Sequence, residues 1–459
     1  MRTAKQIDMT QGPIMKAVIL FGLPICIGNI LQQLYNTVDT LVVGNYCGTV
    51  SLAAIGTSAQ PVEMLLCIFL GLGSGVSILV SQYVGRSDSR RLKDVISTAI
   101  SFLYLCGVPL SLLGFLIGPF VLKIMQVPED TWNYCISYLN IIFLGTLGNL
   151  GYNMNAGILR GLGDSKSSLI FLFLSCALNI VLDLLFVAVF KMDVAGAALA
   201  TIIAMFASWF FSIVYIKKNY PELAFTWLPR HLDKGMLRQI IRIGLPLGLN
   251  NSIYSVGHIV LQSLINLQGA AFIAGCSVAS KVTGIANIAI VSLSTAATTF
   301  SGQNIGAGNY TRLRKGAFRI PFYSGLLNCS LELLVTFFSR PILGFFTQDA
   351  AVLEIAVQYI WIVLPFTWTY AVFNAIISFV NGMGEVRYPT ISNLLTLWAV
   401  RIPAAWLITW VIGGQYCMAA YPISFIFGMI AMLLYFQSKH WKTIRERACG
   451  QEQDKRMPA

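Results

Sequence analysis

Charged residues are scarce in this chain of 459 residues. Only 11% of its residues are Asp, Glu, Lys or Arg, whereas 56% are hydrophobic, and the mean hydropathy is +0.71. Soluble domains carry roughly 25% charged residues, which cover the surface of their cores. The scarcity of charge therefore excludes a soluble enzyme and indicates an integral membrane protein with many spans.

Motifs of disulfide-bonded, zinc-dependent and nucleotide-driven proteins are also missing. The ten cysteines lie singly, without a CxxC pair, and are interpreted as small hydrophobic residues. No His-Glu-x-x-His or Walker A motif is present, and Gly71, Gly73 and Gly75 lack the Lys-Ser/Thr of a phosphate loop. We therefore expect no enzyme activity, no bound cofactor and no ATP-driven transport by this chain alone, and we expect the glycines to serve close helix packing.

Twelve apolar runs are each long enough to cross a hydrocarbon core of ~30 Å. They predict an all-α membrane protein with twelve transmembrane helices. The runs lie at about 17–42, 51–78, 95–118, 132–156, 167–190 and 194–216, and at about 240–265, 271–298, 316–338, 352–378, 389–411 and 415–437.

The basic residues predict the orientation, because Lys and Arg accumulate on the cytoplasmic side of a membrane. In the twelve-span arrangement, 26 of the 31 fall on the side that holds both termini. Lys123, Lys191 and Arg340 fall on the opposite side, and Lys281 and Arg401 fall within spans. We therefore predict a protein of the cell (inner or plasma) membrane with both termini in the cytoplasm.

The two halves of the chain repeat each other with a nearly constant shift along the sequence. Gly22-Leu23-Pro24 recurs as Gly244-Leu245-Pro246, and Gln82-Tyr-Val-Gly85 recurs as Gln303-Asn-Ile-Gly306. Because each half holds an even number of spans, the repeats have parallel topology, which is common in transporters that work by alternating access. The predicted parts are a six-helix bundle at 1–216, a cytoplasmic linker at 217–239, a second six-helix bundle at 240–437 and a cytoplasmic tail at 438–459.

Four segments, in this order and spacing, resemble the multidrug and toxic compound extrusion (MATE) family, and within it the prokaryotic DinF-like branch. They are Leu34-Tyr35-Asn36-Thr37-Val38-Asp39-Thr40, Ala53-Ala54-Ile55-Gly56, Gly157-Ile158-Leu159-Arg160-Gly161-Leu162-Gly163-Asp164 and Gly302-Gln303-Asn304-Ile305-Gly306. The resemblance implies a MATE/MOP-like fold and an antiporter that exchanges lipophilic, often cationic molecules for H⁺ or Na⁺ by rocker-switch alternating access. The implied partners are small xenobiotic molecules and membrane lipids, without nucleic acid, and a monomer is expected.

Two other functions remain open from the sequence. A lipid-linked saccharide flippase of the related superfamily is the main alternative, and it would be expected to line its cavity with several Lys or Arg. Only Lys281 and Arg401 lie in spans here. A channel or receptor is the third alternative, and buried acids restricted to one half of a duplicated chain argue against a symmetric pore.

Two acids in the first half are candidates for cation coupling, because a charge at the bilayer centre costs roughly 2.5 to 3.5 kcal/mol. Asp39, Asp183 and Thr201 are predicted at similar depth, on the order of 12 to 14 Å below the outer end of their spans. Asn179 precedes Asp183 by one helical turn and shares its face. Such oxygen ligands suit a small hard cation or a shared proton, although the same residues could only cross-link helices through hydrogen bonds.

The resemblance implies the same four residues as the coupling site, with Na⁺ as their metal only if the exchange is sodium-driven. In the second half, the repeat shift places uncharged residues at the corresponding positions, which predicts a single coupling site in the first bundle. Those residues are Val260 or Leu261, Val400, Ala404 and Pro422.

Several further residues are assigned from their place in the spans. Glu63 and Lys281 can face each other in a substrate cavity, for which Tyr35, Asn36 and Met205 are further candidates, and Pro24 is a candidate hinge. The remaining ionisable residues in spans are interpreted as structural. Arg401 is expected to satisfy a carbonyl freed by Pro403, Glu332 to be a tolerated boundary residue, and His258 to be a satisfied buried imidazole.

Overall fold

The computed structural model describes residues 6–125 and 127–454, and over these ranges the chain is helical and contains no strand. Sixteen α-helices follow one another in this part of the chain, with short π or 3₁₀ turns between some of them. They are α1 (Ile14–Tyr46), α2 (Thr49–Arg86), α3 (Ser89–Ile124), α4 (Glu129–Leu144), α5 (Thr146–Leu162), α6 (Ser165–Asp183), α7 (Asp193–Asn219), α8 (Lys234–Asn266), α9 (Ala270–Gly306), α10 (Tyr310–Phe337), α11 (Ser339–Gly344), α12 (Ala350–Gly382), α13 (Arg387–Leu395), α14 (Ile402–Val411), α15 (Ala420–Leu434) and α16 (Lys439–Asp454).

Helices occupy all twelve predicted spans, which confirms the all-helical prediction. By length and hydropathy, ten helical segments of the described chain could cross a membrane, and α4 with α5, bent by 48°, makes an eleventh. The seventh predicted span, at 240–265 in α8, falls short of this criterion because Asn250, Asn251, His258 and Gln262 interrupt its apolar residues. The hydropathy of the observed helices therefore supports ten or eleven spans.

The internal repeat is visible in the turns between helices. Gly48 and Gly269 have φ angles of 85° and 95°, and Gly163 and Gly384 have φ angles of 92° and 89°. The members of each pair occupy corresponding positions of the two halves and lie in the left-handed region, which glycine adopts without strain. The repeated glycines therefore mark turns that both halves of the chain make in the same way.

The contacts of the chain divide it into two compact units. The first contains Leu23–Leu249, and the second contains Asp8–Gly22 together with the chain from Asn250 onward. The first boundary falls within α1, next to Pro24, and another falls within α8. The limits of these two units do not test the predicted boundaries of the six-helix bundles at 216 and 240.

Glycines allow α2 and α8 to approach closely within the first unit. A Cβ atom at Gly71 would overlap the backbone of Gly248, and one at Gly75 would overlap the backbone of Gly244. Small residues at such crossings let two helix backbones touch in a membrane protein. The packing role predicted for the glycine run in α2 is therefore confirmed for Gly71 and Gly75.

Candidate functional site

The four predicted coupling residues lie together in the first unit. Asp39 comes from α1, Asn179 and Asp183 from the last turns of α6, and Thr201 from α7. The carboxyl groups of Asp39 and Asp183 are within hydrogen-bonding distance of each other. The sequence therefore identified side chains that three different helices bring to one place.

The amide of Asn179 connects Asp183 to α7. With its nitrogen turned toward the carboxylate, Nδ2 donates to Oδ2 of Asp183 at 2.7 Å, and Oδ1 accepts from the backbone N–H of Thr201 at 3.2 Å. In the opposite orientation, Nδ2 lies 3.4 Å from Oγ1 of Thr201. Only the first orientation gives both amide atoms complementary partners, so Asn179 bridges the carboxyl group and α7.

A break in regular helix follows Asp183 directly. The residues Leu184–Val189 form a π turn between α6 and α7, and Asp183 itself is fully buried. A π turn inserts one residue into a helix and is often found at functional sites. The end of α6 therefore places the carboxyl group of Asp183 inside the unit, one turn from Asn179.

The donor atoms of the cluster suit a proton or a small cation. Oδ1 of Asp39 and Oδ1 of Asp183 are buried, and neither has a hydrogen-bond partner in the part of the chain that the structure describes. Two carboxyl groups within hydrogen-bonding distance of each other stay together only if they share a proton or hold a cation between them. Carboxylate, amide and hydroxyl oxygens are the hard ligands that Na⁺ accepts, so the residues fit either coupling ion.

A small cavity lies beside the cluster, with a volume of about 10 Å³, which is room for about one water molecule. Its lining includes Tyr35, Asn179, Thr201 and Met205. The hydroxyl group of Tyr35 lies 3.3 Å from Oγ1 of Thr201. Two residues predicted for the substrate cavity, Tyr35 and Met205, therefore border the predicted coupling residues.

One residue near the acids was missed from the sequence. Tyr138 of α4 interacts electrostatically with Asp39 and with Asp183. Nothing in the hydropathy of α4 distinguishes this tyrosine from the other aromatic residues of the span. A depth count along the fourth span, of the kind applied to Asp39 and Asp183, could have raised it as a candidate.

The family model MatE matches the chain twice, over residues 24–185 and 246–407. The chain belongs to the MatE family. The two matched segments begin at Pro24 and Pro246, the prolines of the recurring Gly-Leu-Pro, so the family match also confirms the internal repeat.

Similar proteins extend over nearly the whole chain. It is 29% identical over 445 residues to "Probable multidrug resistance protein YpnP" of Bacillus subtilis (strain 168), with 96% of this chain and 99% of the relative covered. It is 24% identical to "Probable multidrug resistance protein NorM" of Thermotoga maritima, with 94% and 93% covered. Among solved structures, an outward-facing MATE family transporter of the MOP superfamily matches with a TM-score of 0.88 at 22% identity, covering 97% of this chain and 100% of the other. The MATE/MOP-like fold prediction is confirmed.

The other candidates for the substrate cavity do not join the cluster directly. Asn36 follows Tyr35 on α1, and its side chain is exposed. Glu63 on α2 and Lys281 on α9 are exposed in separate units, so their facing each other stays a prediction. Pro24 is buried within an α1 that continues through it as one helix, and its role as a hinge also stays a prediction.

Arg401 lies in the interior of the second unit, with 2% of its surface exposed. Its Nε donates to Oγ of Ser424 at 2.8 Å, and Nη1 donates to the hydroxyl group of Tyr254 at 3.0 Å. The guanidinium carbon also lies 4.8 Å from the ring centre of Tyr421 and 5.1 Å from that of Phe425. These contacts fit a structural role, through hydroxyl groups and aromatic rings and not through the expected carbonyl group.

Two predictions from the sequence are wrong. His258 is exposed and makes an edge contact with the ring of Tyr254, with ring centres 5.0 Å apart, whereas a buried imidazole was expected. Glu332 was expected at a tolerated boundary, but it is only 1% exposed, and neither carboxyl oxygen has a hydrogen-bond partner within residues 6–125 and 127–454. Distance to the end of a span therefore did not predict exposure for Glu332.

Proposed function

We propose that this protein is a cation-coupled antiporter that exports lipophilic, often cationic small molecules by rocker-switch alternating access. Membership in the MatE family and the names of its relatives, which describe multidrug resistance proteins, support export of small molecules. The proposal of cation coupling rests on one observation, the proximity of the carboxyl groups of Asp39 and Asp183.

The pair can act as a switch because its charge depends on what it binds. When H⁺ or Na⁺ enters from outside, the negative charge of the pair is neutralised. A drug cation bound elsewhere in the first unit then loses its electrostatic attraction to the pair. By reciprocity, the bound drug weakens cation binding by the same factor.

Neighbouring side chains can pass this change to the cavity. Thr201 contacts Asn179 through its backbone and Tyr35 through its hydroxyl group, and both Tyr35 and Thr201 line the cavity. Cation binding that draws Asn179 toward the carboxyl groups would therefore move groups at the cavity wall. The driving force is sufficient, since one charge crossing 100 mV of membrane potential supplies ~2.3 kcal/mol.

The flippase alternative has less support. Of the two basic residues predicted within spans, Arg401 is enclosed by aromatic rings, and Lys281 is exposed. A diphosphate headgroup would need several reachable cations in a cavity. The placement of these two residues therefore argues against transport of a lipid-linked saccharide.

The test is dye efflux measured in inverted membrane vesicles. A pH gradient and a Na⁺ gradient are imposed separately, and the membrane potential is clamped. We expect one of the two gradients to drive efflux in the wild-type protein and to fail in the Asp39→Asn variant. Equal efflux with neither gradient present would reject cation coupling.

A further inference from the structure

The second unit contains a stripe of buried polar side chains on α10. Ser324, Asn328, Glu332 and Thr336 follow one another every four residues, so they share one face of the helix. Each is at most 2% exposed. Four of their oxygen atoms have no hydrogen-bond partner among the described residues, namely Oγ of Ser324, Oδ1 of Asn328 and both carboxyl oxygens of Glu332.

Close packing keeps this face away from water. A Cβ atom at Gly316 would overlap the ring of Phe300 on α9, and one at Gly325 would overlap the side chain of Val372 on α12. The polar stripe therefore lies where α10 packs against α9 and α12. An ionised carboxylate without a partner in such surroundings costs several kcal/mol.

The helices packed against α10 supply no counter-charge. Among the described residues, no charged group and no hydrogen-bonding group interacts with the carboxyl group of Glu332, which is simply buried. The ionisable groups of these helices lie elsewhere. On α9, Lys281 is exposed and Cys276 is buried in the hydrophobic core of the second unit. On α11 and α12, Arg340 and Glu354 are exposed and paired at 2.6 Å, and Tyr359 and Tyr370 contact Tyr421 and Tyr254. The helix α16 contacts the start of α10, and it carries exposed ionisable side chains. These are Lys439, His440, Lys442, Arg445, Glu446, Arg447 and Cys449.

Glu332 is nevertheless near a surface. It lies five residues before Phe337, where α10 ends, which is about 7.5 Å along the helix axis. The short helix α11 follows at once, and its Leu343 is fully buried. Water that enters at this end of α10 would therefore have only a short distance to travel to the carboxyl group.

The first half of the chain does not have this feature. The shift that relates Gly48 to Gly269 places Ser111 at the position of Glu332, and the hydroxyl group of Ser111 donates to the backbone carbonyl of Phe143. The hydroxyl group of Ser111 therefore has a hydrogen-bond partner, whereas the carboxyl group of Glu332 has none in the described part of the chain. Packing of the repeated fold therefore does not by itself require an acid here.

We propose that Glu332 is a second proton-binding site, separate from the Asp39 and Asp183 cluster. In the described conformation, its carboxyl group carries the proton, and Oδ1 of Asn328, one turn away on the same face, is available to accept its hydrogen bond. When water enters at this end of α10, the carboxyl group releases the proton. The inference deepens the proposed antiport by adding a proton site in the second unit, but proton binding by Glu332 can be tested without transport.

The first experiment is infrared difference spectroscopy of the purified full-length protein in lipid. Wild-type protein is compared with Glu332→Gln, which keeps the shape of the side chain and removes the titrating proton. We expect the difference to contain a protonated carboxyl band at neutral pH that weakens at alkaline pH and shifts in Asn328→Leu. Carboxylate bands at neutral pH, or an acid band that does not change with pH, would overturn the proposal.

The second experiment separates this proposal from the coupling role of the aspartates. In vesicles with a pH gradient, the number of protons moved per dye molecule is measured for wild type, Glu332→Gln and Asp39→Asn. We expect a lower ratio in Glu332→Gln with dye efflux retained, and loss of driven efflux in Asp39→Asn. A wild-type ratio in Glu332→Gln overturns the second site, whereas driven efflux in Asp39→Asn overturns the proposed function.

Discussion

The carboxyl groups of Asp39 and Asp183 face each other within hydrogen-bonding distance, although the helices α2 to α5 lie between them in the sequence. Each group also has one buried oxygen that finds no hydrogen-bond partner among the residues the structure describes. Two acids in this arrangement act as one binding unit, because the charge state of either depends on the other. Loss of one carboxyl group should therefore disable the other.

Replacing either acid by its amide should abolish gradient-driven efflux. We expect Asp39→Asn, Asp183→Asn and the double variant to reduce efflux at least about tenfold, and the double variant to be no worse than the single ones, since the pair acts together. Dye efflux in inverted vesicles measures this at matched membrane abundance. Glu354→Gln, in an exposed ion pair with Arg340, is the control. Wild-type efflux in both single variants would contradict the coupling role.

The hydroxyl group of Thr201 is predicted to affect cation affinity. Thr201→Val keeps the shape of the side chain but removes the contact with the hydroxyl group of Tyr35. A hydrogen bond of this kind contributes about 0.5–1.5 kcal/mol, so we expect the cation concentration for half-maximal efflux to rise about threefold to tenfold. Thr40→Val is the matched control, because that exposed hydroxyl group bonds within its own helix, to the carbonyl group of Asn36. An equal shift in both variants would argue against a specific role for Thr201.

Arg401 is predicted to stabilise the second unit. Arg401→Met keeps most of the side-chain length and removes the hydrogen bonds to Tyr254 and Ser424 and the charge over two aromatic rings. Since each charged hydrogen bond is worth roughly 1.5–3 kcal/mol, we expect a lower melting temperature in detergent without a change in which cation drives efflux. The exposed Arg445 on α16 provides the control variant Arg445→Met. An unchanged melting temperature would show that the buried guanidinium is not needed for stability.

The predicted orientation of the tail can be tested with a native cysteine. Cys449 on α16 is exposed, whereas the other cysteines are buried or partly buried. If the C-terminus is cytoplasmic, a membrane-impermeant maleimide should label Cys449 in inverted vesicles and not in intact cells. Cys449→Ser controls for labelling elsewhere. Labelling of Cys449 in intact cells would place the tail outside.

The spans could be predicted from sequence because the pattern that defines them is local. A run of about 20 apolar residues is visible without knowledge of its neighbours. The repeated glycine before a helix, as at Gly48 and Gly269, is visible in the same way. The proximity of Asp39, Asp183 and Thr201 could be predicted for a related reason, because the constant rise of a helix converts residue counts into depth.

The errors concern side-chain directions and enclosing elements that no local pattern records. Counting residues placed Glu332 near the end of α10 correctly, but the count could not reveal that its side chain is buried there. The side-chain direction of Tyr138 depends on how α4 is rotated against α1 and α6. The same is true of His258 on α8, a helix whose sequence shows no clear polar face.

The π turn at Leu184–Val189 has a consequence for the geometry of α6. Such a turn holds one residue more than an α-helix of the same height, and each residue of an α-helix accounts for about 100° of rotation. Deleting one residue from this turn would keep the span apolar and close to its present length. It would also change the angular phase of the segment that leads into α7, whereas Asn179 and Asp183, which precede the turn, would keep their shared face on α6. The extra residue therefore affects the path from α6 to α7, which carries Thr201, and leaves the pairing of Asp183 with Asp39 to α6 itself.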